Sequence, residues 1–95
     1  MDLELEPRQL GTLELDGQWV PYVDLHEFGG AIPTRVKLGN DEYGFNSSVI
    51  IFGHGAVLPQ KVRELRSAGK KVLVLERGAS GSGHSDRYFV FVSPP

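Results

Sequence analysis

The chain has no cysteine, one methionine, one tryptophan and no surplus of positive charge. Each scarcity excludes something. Without thiols there is neither a disulfide scaffold nor a thiolate zinc site. No apolar run is long enough to span a bilayer. The opening Met1-Asp2-Leu3-Glu4-Leu5-Glu6 has neither a basic nor an apolar segment of the kind a secretory signal needs. Ten Lys and Arg against twelve Asp and Glu, with a pI near 5.9, argue against broad affinity for nucleic acid or anionic membranes. The expectation is a cytoplasmic protein with no membrane and no nucleic-acid partner. Its 95 residues form one domain, 1–95, and an apolar fraction of 40% predicts a packed core.

The punctuation of the chain predicts its elements. Residues 1–9 are acidic, and Leu3 and Leu5 alternate with acids until Pro7, which suits a charged edge strand or a frayed terminus. Asp16-Gly17 between Thr12–Leu15 and Gln18–Leu25 predicts a type I′ hairpin that pairs Leu15 with Gln18 and Leu13 with Val20. Pro21 predicts that its strand is an edge or carries a bulge. Thr34–Leu38 alternates and reads as a strand, 39–44 as a polar loop, and Phe45–Phe52 as a returning strand. Pro59 at a helix start and Gly69 at its end bracket a helix whose apolar stripe is Leu58, Val62, Leu65 and Ala68. Val72–Leu75 and Tyr88–Val92 are apolar at every position, as strands buried on both faces are. Between them Arg77–Asp86 reads as a Gly/Ser loop, and residues 94–95 are a tail.

The fold class is therefore α+β. It should hold a mixed sheet of about five to six strands and one helix in the order β-β-β-β-α-β-β, with one right-handed parallel βαβ crossover from Val49 to Leu75. The last strand should return antiparallel beside that unit or at an edge.

Val49-Ile50-Ile51-Phe52-Gly53-His54-Gly55, a helix, and Val72-Leu73-Val74-Leu75-Glu76 together resemble the opening βαβ unit of FAD- and NAD-binding oxidoreductases. The likeness covers about a third of the chain. It implies that Gly53 and Gly55 let a pyrophosphate approach the helix, and that Glu76 takes ribose hydroxyls. Leu58 stands where that family has its third glycine, and Pro59 removes an N–H nearby. A nucleotide or dinucleotide is the one cofactor this likeness implies. The residues by themselves imply none.

Parallel strands would deliver the loops after Phe52 and Leu75 to one sheet edge, the usual place for a ligand in open α/β sheets. That patch comprises Gly53, His54, Gly55, Glu76, Ser80, Ser82, His84 and Arg87, with His54, His84 and Asp86 as catalytic candidates. No tight His spacing indicates a metal site, although Asp24 and His26 would share a strand face. There is no Gly-x-Ser-x-Gly elbow, and the chain reads as a non-enzyme. Arg63, Arg66 and Lys70, flanked by Lys61 and Lys71, form a basic helix surface that could receive the acidic N-terminal segment of another copy.

Three strands apolar on both faces, Val49–Phe52, Val72–Leu75 and Tyr88–Val92, with a single helix leave one sheet face to be covered by the N-terminal hairpins or by another subunit. The function expected from sequence is thus an interaction or assembly module, homo-oligomeric or bound to another protein. The alternative is a nucleotide- or phosphate-binding protein that uses the Gly53-His54-Gly55 turn and the Arg77–Asp86 loop.

Overall fold

The computed structural model describes residues 2–51, 57–78 and 86–94. It is a small α+β domain with one α-helix and one seven-stranded mixed sheet among those residues. The strands are β1 (Asp2–Leu5), β2 (Gly11–Leu15), β3 (Gln18–Asp24), β4 (Arg35–Leu38), β5 (Asp41–Ile51), β6 (Lys71–Gly78) and β7 (Asp86–Ser93). The helix is α1 (Val57–Ser67). Across the sheet the order is β1-β4-β5-β7-β6-β3-β2.

The sequence expectation of five to six strands is corrected in two ways. The acidic N-terminus is a strand, paired parallel to β4. Strand β5 begins at Asp41, because Gly39 at φ 60° closes a tight turn where a longer polar loop is expected. The placement of the last strand is also refined. β7 lies between β5 and β6 and is antiparallel to both, so β5 and β6 run in the same direction without touching. A strand that is apolar on both faces gains most at the centre of a sheet. There Phe89, Val90, Phe91 and Val92 are all buried.

The hairpin forms as the sequence predicts. Asp16 (φ 53°) and Gly17 (φ 84°) occupy the left-handed region that a type I′ turn requires, and the register is Leu15↔Gln18, Leu13↔Val20. The expectation drawn from Pro21 is not met. β3 is an interior strand, but its pairing with β6 covers only Tyr22 to Asp24, so Pro21 sits just outside that ladder. Arg66 of α1 occupies the gap and donates to the Trp19 carbonyl at 2.9 Å.

Two apolar clusters flank the sheet. On one face Leu58, Val62 and Leu65 of α1 pack on Val20, Val72, Val74, Val90 and Val92. On the other, Leu73, Leu75, Phe89 and Phe91 pack with Val23, Leu25, Val36, Tyr43 and Leu5. The second face is covered by the chain itself, through the 3₁₀ turn Leu25–Phe28 and the β1/β4 edge. The sequence reading expects N-terminal hairpins or another subunit here; instead the β2–β3 hairpin is part of the sheet, and the cover comes from the turn after β3 and from the bent β1/β4 edge.

Chain length requires this curl. β1 and β2 are the two outer strands, which a flat sheet would hold about 28 Å apart. Only Glu6–Leu10 join them, including a 3₁₀ turn at Pro7–Gln9, and six Cα steps reach at most about 20 Å. The sheet must bend until its edges approach. A bulge between Phe45 and Ser47 of β5 assists, since an extra residue there bends the strand.

Candidate functional site

β3, β5 and β6 end at one rim of the sheet, and β7 begins there: Asp24 pairs with Glu76, and Asp86 pairs with both Ile51 and Gly78. This rim carries the described part of the site expected from sequence. Alternation puts Asp24, Glu76 and Tyr88 on the α1 face, in one row across β3, β6 and β7, with Tyr22 two residues before Asp24 on the same face.

Glu76 is half-buried, and its Oε2 accepts a 3.0 Å hydrogen bond from the Tyr22 hydroxyl. Burial first, then that bond and the nearby Glu76, Asp24 and Tyr88, push the Tyr22 phenol well above its ordinary range. Ionising it would place an anion beside two carboxylates. The phenol thus keeps its proton at neutral pH, as a hydrogen-bond donor to Glu76 and neither a base nor a nucleophile. Asp24 serves the local backbone. Its Oδ1 accepts from the His26 backbone N–H at 3.0 Å and caps the 3₁₀ turn Leu25–Phe28.

Arg87 pairs with Arg77 on the opposite face from Glu76, so those two members of the expected patch point away from one another. Gly53, His54, Gly55, Ser80, Ser82 and His84 lie outside the described residues, and Asp86 is described by its backbone alone. Tyr22, Asp24 and Tyr88 are the rim residues that sequence reasoning did not attach to Glu76. The parallel β3–β6 register brings them together, and nothing local encodes it.

The basic helix is largely engaged within the chain. Arg63 pairs with Asp16 at 3.3 Å, Arg66 holds the Trp19 carbonyl, and Lys71 reaches Asp41 at 3.1 Å. The acidic segment that could dock on it is β1 of the same sheet. At the far end of the sheet an open depression of about 510 Å³ is lined by Glu4, Glu6, Arg8 and Lys37. Its charges balance among themselves, Arg8 with Glu6 at 2.6 Å and Lys37 with Glu4 at 4.0 Å. Among the described residues no group of three or more His, Asp or Glu is placed to hold a metal ion. No helix there is long and apolar enough to cross a membrane.

Among the described residues four large apolar side chains are exposed: Trp19 (65%), Val57 (64%), Phe45 (55%) and Ile32 (40%). Phe45 rests edge-on against Phe91, ring centroids 5.8 Å apart, and so extends the core outward. Trp19 lies on the sheet face away from α1, opposite Glu14 in the hairpin. Comparison with protein-family models, curated proteins and solved structures finds no significant match for this chain.

Proposed function

We propose that this chain is a cytoplasmic assembly module that associates with a second copy of itself through the surface of the β2–β3 hairpin. Trp19 carries this reading. An indole exposed to 65% gives up most of the hydrophobic gain a tryptophan can make, and interface anchors are enriched in this residue. The backbone beneath it is held from three points on α1. Gln18 Nε2 donates to the Pro59 carbonyl at 3.1 Å, Arg63 reaches Asp16, and Arg66 holds the Trp19 carbonyl. A side chain presented on a fixed support costs little ordering entropy on binding. We take the chain path from β5 through α1 to β6 as right-handed, the hand that parallel crossovers adopt.

Sedimentation velocity over a wide concentration range tests the reading, with Trp19 fluorescence as a second signal. Self-association should grow with concentration and shift the emission to the blue, and Trp19→Ala should weaken it. A strict monomer at the highest soluble concentration would overturn it.

A second reading is supported by the Tyr22–Glu76 pair of β3 and β6, at the rim where β5 and β6 both end on either side of β7. Here the rim binds a nucleotide or phosphate ligand with Gly53, His54, Gly55, Glu76, Ser80, Ser82 and His84, and with Arg87 from the opposite sheet face. A thermal-shift screen with nucleotides, flavins, phosphate and divalent metals tests it, since a ligand of the native state raises the melting temperature. The His54→Ala/His84→Ala double variant should abolish any such shift. No shift with any of these compounds would end this reading.

A further inference from the structure

Among the described residues the sheet has two open edges, β1 and β2, and the chemistry of the two differs. In the two-residue turn Leu15 and Gln18 exchange both backbone hydrogen bonds. By alternation Leu13 with Val20 and Gly11 with Tyr22 do the same. The N–H and C=O groups of Thr12 and Glu14 therefore point away from β3. No described strand pairs with them. This edge is self-complementary. A second β2 laid antiparallel about a two-fold axis at Leu13 sets Thr12 against Glu14 of the other copy, and Glu14 against Thr12. Each pair exchanges two hydrogen bonds, four in all. Leu13 then faces its own copy across a close, non-hydrogen-bonded pair on the helix side of the sheet, where it is half-buried in the single chain.

Charge favours this edge and this register. The Glu14 carboxylate is folded back onto the turn, accepting from the Gly17 N–H at 2.7 Å, and it meets no like charge across the seam. Shifting the axis to Glu14 would set two glutamates face to face. On β1, self-pairing about Leu3 would set Asp2 against Glu4 twice, so acids guard that edge. Pairing β1 to β2 of another copy is heterologous and closes only where the rotation completes a ring, whereas the two-fold arrangement closes by its own symmetry.

We infer that two copies join through antiparallel β2–β2 pairing about Leu13, merging two sheets into one, with Trp19 one strand in from the seam. This rests on reading the chain as a self-assembling module, and the test separates the two ideas. Thr12 is exposed, so Thr12→Glu and Thr12→Lys leave the monomer folded, which far-UV circular dichroism checks. Across the seam a glutamate at 12 meets Glu14 twice, and a lysine at 12 finds it as a partner twice. At low salt Thr12→Glu should raise the dimer dissociation constant about tenfold, and Thr12→Lys should lower it. In the unmodified chain, hydrogen exchange at the Thr12 and Glu14 amides should slow as concentration rises. A dimer indifferent to the sign at position 12, with those amides unprotected, overturns the strand-pairing inference and leaves the assembly reading standing. No dimer at all overturns both.

Discussion

At the scale of single residues, the informative side chain is the Tyr22 phenol. It bridges two strands through Glu76, far apart in sequence, and its raised pKa has a definite consequence for stability. A group whose pKa is raised in the folded state contributes fully below its unfolded value, about 10 for tyrosine, and the contribution is lost as pH climbs through the folded value. Tyr43 is also pushed up, by burial and by Asp41, with Lys71 opposing. Stability should thus fall at alkaline pH beginning near pH ~10. Tyr22→Phe should cost about 1 kcal/mol near neutral pH and flatten part of that alkaline decline. Urea denaturation at a series of pH values measures both, and an unchanged alkaline limb in Tyr22→Phe would contradict the assignment. From sequence Glu76 is conspicuous, because it closes an apolar strand. Its partner is not, because a half-buried tyrosine at position 22 looks like any strand aromatic until β3 and β6 are aligned.

At the scale of elements, α1 and the β2–β3 hairpin follow local rules. Leu58, Val62 and Leu65 recur at helical spacing and are buried, and Gly69 ends the helix region at φ 84°. Leu58 is fully buried while its neighbour Val57 is 64% exposed. Leu58→Ala should therefore lose about 3 kcal/mol, and Val57→Ser should stay within about 0.5 kcal/mol of the parent. Gly69→Ala should cost about 1 kcal/mol, because a Cβ strains the left-handed backbone even where the space around it is open. Chemical denaturation of the three variants checks this order. Equal losses in Leu58→Ala and Val57→Ser would mean that α1 is packed on another face.

At the scale of the whole molecule, the decisive feature is the closure of the second sheet face by the chain's own edge. Leu5, on an outer strand, shares a cluster with Leu73 and Phe91 of the sheet centre. The short Glu6–Leu10 link enforces that approach. Leu5→Ala should cost about 2–3 kcal/mol and loosen the edge beyond its own strand. Hydrogen exchange should accelerate at the β4 amides paired with β1 and leave those of β6 nearly unchanged. Uniform acceleration would show that the edge and centre unfold as one unit. With the centre of this face satisfied internally, the motive for assembly shifts from a wholly uncovered sheet face to an open strand edge and the indole left exposed on the same face.

The sequence by itself determined the hairpin, the helix and the doubly apolar strands. Asp16-Gly17 and Gly69 act through the dihedral angles of their own residues, and burial periodicity acts within one element; Pro59 stands third in a helix that begins at Val57, where the sequence predicts it first. Only the tertiary structure decided that β7 lies between β5 and β6, that Pro21 sits in an interior strand, and that Asp24, Glu76, Tyr22 and Tyr88 share one rim. Those outcomes depend on which strands become neighbours. Backbone hydrogen bonds are alike for every strand, so neighbours are chosen by the burial of side chains distant in sequence and by the reach of the connecting links.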